Sequence, residues 1–147
     1  MDKGPATKAD SEADSAADSA ADRTTPYARI GGAAGVAAFV ERFYGLMDTL
    51  PEAAACRAIH PPSLAGSAEK LTWYLTGWLG GPPLFVERRG APMLRRRHFV
   101  AAIGAEERDG WLLCFHRAWA ETVADPDLTA LIVPQVESLA QHMVNRE

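Results

Sequence analysis

The sequence lacks most features of exported, membrane-bound or disulfide-linked proteins. It has only two cysteines among its 147 residues, Cys56 and Cys114, and neither belongs to a CxxC or CxxCH motif. Two isolated thiols in helix-like surroundings predict free, buried cysteines in a reducing compartment. No stretch approaches the roughly 18 apolar residues of a membrane helix, and no basic segment followed by an apolar one marks an export signal. These absences predict a cytoplasmic protein that does not enter a membrane.

Motifs for nucleotides and for protein-bound metals are missing as well. No GxxxxGK[ST] or GxGxxG motif follows a strand pattern, and the glycines of IGGAAG at 30–35 are better interpreted as a turn into a helix. The four histidines, His60, His98, His116 and His142, form no HxxxH, HExxH or Cys/His cluster. The spacing therefore argues against a metal site made of protein ligands alone.

The net charge is close to zero in most of the chain, and most of the negative excess lies at its start. The net charge is −4, and residues 1–25 hold six acidic against three basic side chains. Apart from Met1, that segment contains nothing apolar larger than alanine. We therefore predict that residues 1–25 are a disordered Ala/Asp/Ser-rich tail and that residues 27–147 form one domain. The near-neutral domain has little general attraction for nucleic acid or for an anionic membrane.

From Tyr27 onward the apolar residues follow helical spacing, and strand alternation is missing. Four substantial helices are predicted, the second of them with Ser63 as its N-cap and the fourth beginning near Asp125 and Pro126. A segment of one or two turns, PEAAACRAI, follows the first helix. The predicted apolar faces comprise Val36, Phe39, Val40, Phe43, Tyr44 and Met47; then Leu64, Ser67, Ala68, Leu71, Tyr74, Leu75 and Trp78; then Trp111, Leu112, Phe115, Trp119 and Val123; then Leu128, Leu131, Ile132, Val136, Leu139 and Met143.

Between the second and third helices, GGPPLFVERRGAP holds three glycines and three prolines in thirteen residues, which predicts a long loop. PMLRRRHFV follows, with three arginines directly before His98. A solvated basic turn and a nucleic-acid site are two interpretations of this run. A third is a ligand with an apolar body and an anionic edge, such as haem, whose iron binds a neutral imidazole and whose propionates pair with guanidinium groups.

Five segments together resemble a group II truncated haemoglobin: RFY at 42–44, LAGSAEKL at 64–71, WLGGP at 78–82, ERRGAPMLRRRHF at 87–99 and RDGWLLCFHRA at 108–118. The resemblance covers residues 27–147 and implies an all-α truncated globin, a two-over-two helical sandwich around haem. It implies that His98 is the proximal iron ligand. Arg97 is then the best candidate for propionate pairing, with Lys70 and Arg95 behind it.

The resemblance also assigns the remaining haem contacts. Leu71 and Phe85 would touch the cofactor, although Phe85 lacks the hydroxyl that many relatives have at this position. The absence of CxxCH implies non-covalent haem b.

On the distal side the resemblance places Tyr44, Trp111, His60 and Ser67. Because O2 becomes partly anionic when it binds haem, a phenol O–H and an indole N–H directed at it would favour the bound state. Plain core packing is the alternative for Tyr44 and Trp111, since both lie on apolar stripes. The His60 imidazole is expected to donate to the ligand or to Tyr44, with protonation near neutral pH. The Ser67 hydroxyl is too short to ligate iron.

The resulting prediction is a haem protein that binds O2, CO or NO reversibly at a five-coordinate iron, as a monomer or homodimer. Redox chemistry on NO or peroxide, with a reductase partner, stays open. The alternative is a haem-free helical module that binds an anionic partner through the arginine-rich loop.

Overall fold

The computed structural model describes residues 25–90 and 101–145, and their regular secondary structure is entirely helical. In chain order the elements are α1 (Pro26–Ile30), α2 (Gly32–Thr49), a 3-10 turn (Pro51–Ala53), α3 (Ala54–Ala58), α4 (Ala65–Trp78), α5 (Leu84–Arg89), α6 (Ala105–Thr122) and α7 (Pro126–Met143). The four long helices match the four that the sequence predicts, and the turn and α3 match the predicted short segment. No helix in these two ranges is long and apolar enough to cross a membrane.

Helix α2 lies at the centre of the fold, and its apolar face explains why. All six predicted face residues are buried: Val36, Phe39, Val40, Phe43, Tyr44 and Met47. One side of α2 packs on α6 and another on α4, while α6 also packs on α7. The result is two layers of two long helices, with the core centred on the α2–α6 contact.

The glycines before α2 form the predicted turn. Gly31 and Gly32 adopt positive φ angles of 111° and 67°, a region in which residues with a Cβ are strained. Gly35 is needed for another reason, because a Cβ there would lie 1.9 Å from the Ile30 carbonyl oxygen. The turn lets α1 fold back onto α2.

The structure differs from the prediction in two places: the N-cap of α4 is shifted by one residue, and the predicted loop contains a short helix. The N-cap of α4 is Leu64, not Ser63, although the Ser63 hydroxyl does accept from the Ala65 N–H at 3.3 Å. The predicted loop at 80–92 contains α5, which begins after Pro83 and ends at Gly90 with φ 78°. Proline and glycine at those two positions mark the ends of a short helix rather than an irregular chain.

Helix α7 begins at the predicted place. The Asp125 carboxylate accepts from the Leu128 N–H at 3.0 Å, and Pro126 occupies the first helical position. Arg29 of α1 donates to both carboxylate oxygens of Asp125, which fastens α1 to the start of α7. Leu131 was predicted on the apolar face but is 49% exposed, because the buried row of α7 repeats every four residues through Leu128, Ile132, Val136 and Ala140.

Both cysteines are free and buried, as predicted. Burial raises the pKa of Cys56 to about 12 and that of Cys114 to about 11. Both thiols are therefore protonated at neutral pH, a form that reacts poorly.

Candidate functional site

Tyr44 projects from α2 toward α4 and is 9% exposed. Its hydroxyl donates to the Ser67 carbonyl oxygen at 3.5 Å, a weak bond at the edge of hydrogen-bond range. Burial raises the pKa of Tyr44 well above its usual value, so the phenol keeps its proton. The site thus holds a buried O–H donor that is only loosely engaged.

His60 lies between α3 and α4 with its ring against that of Tyr44, at 6.0 Å between centroids and an interplanar angle of 72°. Its Nδ1 is 2.9 Å from the Cys56 carbonyl oxygen. Since a carbonyl oxygen can only accept, Nδ1 carries the proton of the neutral ring and Nε2 carries the lone pair. The neutral imidazole can therefore accept at Nε2, and it becomes a donor there only on protonation.

Trp111 lies near the start of α6 and is only partly buried. Its ring contacts Phe43 at 5.1 Å and stacks on Phe115 at 5.9 Å. Within the described ranges the indole N–H of Trp111 has no hydrogen-bond acceptor, whereas Trp119 on the same helix donates to the Thr129 hydroxyl at 2.8 Å. A partly buried donor without a protein acceptor in these ranges is available to solvent or to a small bound ligand.

The α4 face opposite these donors is apolar and only partly covered. Leu64, Ala68, Leu71, Leu75 and Trp78 pack against the edge of the core without being fully buried. The cause lies in the helix arrangement: α2 contacts both α4 and α6, but α4 and α6 are largely out of contact with each other. An apolar helix face is thus left beside a pair of polar donors.

The remaining described candidates surround this face. Phe85 is buried against the Tyr74 ring, with centroids 6.1 Å apart, so α5 closes one end of α4. Lys70 is exposed on α4, next in the chain to Leu71. Tyr44 contacts both His60 and Ser67. The Phe43 ring contacts the rings of Tyr44 and Trp111. The structure therefore brings Tyr44, His60 and Ser67 together and places Trp111 on the other side of the Phe43 ring contact.

The proximal candidates His98, Arg97 and Arg95 fall in residues 91–100, outside the described part of the chain. The residue that sequence reasoning missed lies just beyond them. Asn145 donates from its amide to the Ala101 carbonyl at 3.0 Å and accepts from the Ile103 N–H at 2.8 Å. These bonds hold the chain a few residues after His98. A single asparagine after a helix carries no sequence pattern that would predict them.

The comparisons with known proteins identify the family of this chain. A model of the family described as bacterial-like globin matches residues 25–145. The chain is a truncated globin of group II. This globin is 61% identical to the Group II 2-on-2 hemoglobin from Agrobacterium tumefaciens, with a TM-score of 0.83 over 84% of this chain and 96% of that one.

Two further relatives of this truncated globin are similar over comparable lengths. A cold-adapted truncated hemoglobin from Pseudoalteromonas haloplanktis is 38% identical, with a TM-score of 0.82, over 84% of this chain and 100% of that one. Group 2 truncated hemoglobin YjbI from Bacillus subtilis is 35% identical over 121 residues, which are 82% of this chain and 89% of that protein. These matches confirm the predicted two-over-two fold.

Membership of the globin family implies a haem cofactor and small gaseous ligands. The described residues fit such a group. The half-covered α4 face offers apolar contact to a flat macrocycle, and the N–H of Trp111 and the O–H of Tyr44 are donors suited to a small polar ligand.

Proposed function

We propose that this truncated globin holds non-covalent haem b through His98 and binds O2, CO or NO reversibly. Haem iron supplies the ligand bond, and the protein sets the polarity and the access of the site. The observation that carries the proposal is the indole N–H of Trp111, which has no acceptor among the described residues. The Trp111 ring contacts Phe43, as does the ring of Tyr44. Core packing in the described residues leaves the Trp111 donor without a hydrogen bond and gives the Tyr44 hydroxyl only the contact to the Ser67 carbonyl.

The two donors differ in how readily they can turn to a ligand. Trp111 gives up no existing hydrogen bond, and Tyr44 gives up only the 3.5 Å contact to Ser67. Each new bond would stabilise a partly anionic ligand by about 1 kcal/mol net, or somewhat more if the ligand is strongly charged. Together they would slow ligand escape substantially.

His60 would tune these donors rather than replace them. In its neutral form Nε2 is an acceptor, because Nδ1–H is used by Cys56. Protonation turns Nε2 into a further donor toward Tyr44 and the ligand. The proposal therefore expects slower ligand dissociation as pH falls through the His60 pKa, and a rate that is flat from about pH 5 to 8 would remove His60 from the mechanism.

On the other side of the cofactor, Arg97 would pair with a propionate, with Lys70 and Arg95 in supporting positions. Leu71 and Phe85 would contact the ring, and Phe85 offers no hydroxyl to a propionate. We place the protein in the cytoplasm as a monomer or homodimer. Oxygen storage or delivery, and redox chemistry on NO or peroxide with a reductase, are both consistent with this site.

The test of the proposal is the absorption spectrum of the protein expressed with adequate haem. The wild type should show a Soret band that shifts on reduction and on CO addition, and His98→Ala should lose or weaken it. His116→Ala, which removes an exposed imidazole on α6, is the matched control and should keep the band. A colourless wild type that binds DNA in a salt-dependent way would overturn the proposal in favour of a haem-free module.

A further inference from the structure

Four of the seven arginines in the described ranges form ion pairs with neighbouring carboxylates. Arg29 pairs with Asp125, Arg42 with Glu121, Arg57 with Asp48 and Arg108 with Asp109. Arg117 is close enough to Glu121 to help lower the pKa of that carboxyl. Lys70 and Arg88 differ, because neither has a carboxylate partner in the described ranges. Lys70 is exposed, and Arg97 rather than Lys70 is the principal candidate for the haem propionate.

These two cations belong to one surface formed by α4 and α5. The Arg88 guanidinium lies over the Trp73 ring at 5.1 Å, and Trp73 is three residues from Lys70 on the same side of α4. Val86 on α5 is 52% exposed, and Arg89 adds a further exposed arginine. We call Lys70, Trp73, Val86, Arg88 and Arg89 the basic surface. Exposed Glu69 and Glu87 are close in sequence but make no ion pair with it.

The described chain begins beside the basic surface. Thr25 is so close to Gly80 that a Cβ on Gly80 would lie 3.2 Å from the Thr25 Cβ. The Tyr27 N–H donates to the Leu79 carbonyl at 2.8 Å, which fixes this corner. Only Gly81, Pro82 and Pro83 separate Gly80 from α5. Residues 1–24 therefore join the described chain beside the connection between α4 and α5, the two helices that carry the basic surface.

The composition of the attached segment complements the basic surface. Asp10, Asp14, Asp18 and Asp22 recur every four residues, with Glu12 between the first two and no basic side chain from Ala9 to Asp22. At this spacing the four carboxylates would share one side of a helix, where like charges repel. A cationic partner would relieve this repulsion.

We propose that the acidic segment 10–22 docks on the basic surface of its own chain. Covalent attachment gives it an effective concentration on the order of mM at this surface, far above that of a free anionic protein. The root-mean-square reach of about 20 Å for a flexible span from Thr25 to Asp14 is sufficient for contact with α5. Docking would cover the basic surface until an acidic partner displaces the segment.

Carbodiimide cross-linking of the haem-loaded, full-length protein tests the proposal directly. Lys70 is the only lysine in the described residues, so an amide between its amine and a carboxylate of the segment identifies one contact. Mass spectrometry should find Lys70 joined to Asp14, Asp18, Asp22 or Glu12 within one chain. Lys70→Arg keeps the charge and should abolish the product.

Two matched variants separate docking from chance encounters of a tethered chain. Replacing the four aspartates by asparagine leaves Glu12 in place as a reporter carboxylate, and Arg88→Gln leaves both cross-linking partners unchanged. In each variant, and in about 1 M salt where the Debye length falls to about 3 Å, we expect the Lys70–Glu12 product to fall about tenfold. A Lys70–Glu12 yield that is the same in all of these would overturn the proposal.

Mixing 14N-labelled and 15N-labelled protein shows whether the segment on the basic surface comes from the same chain or from a second copy. Mixed-isotope products would show that the segment binds a second copy, and absence of any tail product would leave the basic surface to an external partner. Either result would overturn docking within one chain. The Soret band is read on the same samples, so a missing haem and a missing contact are distinguishable.

Discussion

The two ends of α6 carry the same residue type in opposite situations. Trp119 is 5% exposed, lies against Phe39 and Phe115, and donates its N–H to Thr129. Trp111, two turns earlier, is partly exposed and has no acceptor among the described residues. The end that carries Trp119 is closed by α7. The other end packs on the 3-10 turn and α3 and leaves Trp111 partly exposed, and we call it the open end. Trp119 thus serves core packing, whereas the N–H of Trp111 is available to a ligand.

The largest expected contrast is in stability. Trp119→Ala should lower the free energy of unfolding by about 3–5 kcal/mol, because it removes a fully packed ring from the core. Trp111→Ala should cost clearly less, since the Trp111 ring is less completely buried than that of Trp119. Denaturant unfolding of the two variants under identical haem loading measures both, and equal losses would contradict the contrast.

A smaller effect is expected at the acceptor of Trp119. Thr129→Val leaves the buried indole N–H without a partner and should cost about 1–3 kcal/mol of stability. Thr129→Ser retains the hydroxyl and is the control. If the valine variant is as stable as the serine variant, the Trp119 hydrogen bond contributes nothing measurable.

At the open end the effect should appear in kinetics instead. Trp111→Phe removes the N–H while keeping most of the ring, so O2 dissociation should accelerate about fivefold, equivalent to about 1 kcal/mol. Trp119→Phe should leave this rate unchanged. Stopped-flow measurement of both variants decides the point, and an unchanged rate for Trp111→Phe would assign that residue to packing.

The smallest effect is expected at the Arg29–Asp125 contact, which joins α1 to the start of α7. The Leu128 N–H and the Arg29 guanidinium lower the pKa of Asp125, so its contribution is present above its unfolded pKa and is lost as pH falls through the folded value. Asp125→Asn keeps a capping oxygen but loses the charge. The difference in Tm between wild type and variant should be greatest near neutral pH and shrink below about pH 4. A constant difference would refute the linkage.

Local patterns in the sequence predicted most of the fold. Apolar spacing identified the buried face of α2, and Asp125 with Pro126 identified the start of α7. Helix α5 was missed because proline and glycine density does not distinguish a loop from a six-residue helix bounded by those residues. Leu131 was misplaced because the apolar residues of α7 exceed what one buried row accommodates.

The site was only partly accessible from sequence. The resemblance selected Tyr44, Trp111, His60 and Ser67, and the structure brings Tyr44, His60 and Ser67 together. Sequence could not show that Trp111 lacks an acceptor while Trp119 has one, since both lie on the same kind of stripe. The Nδ1–H tautomer of His60 depends on a carbonyl direction that no sequence pattern encodes. His98 as the iron ligand stays a prediction, supported by family membership.

The Asn145 contacts have a consequence for how the protein is made. A ribosome synthesises Ala101 and Ile103 well before Asn145, with all of α6 and α7 in between. The peptide after His98 can be secured only once those two helices have emerged and folded back. Stable haem binding should therefore occur late in translation. A nascent chain on a ribosome stalled within α7 should not yet retain haem.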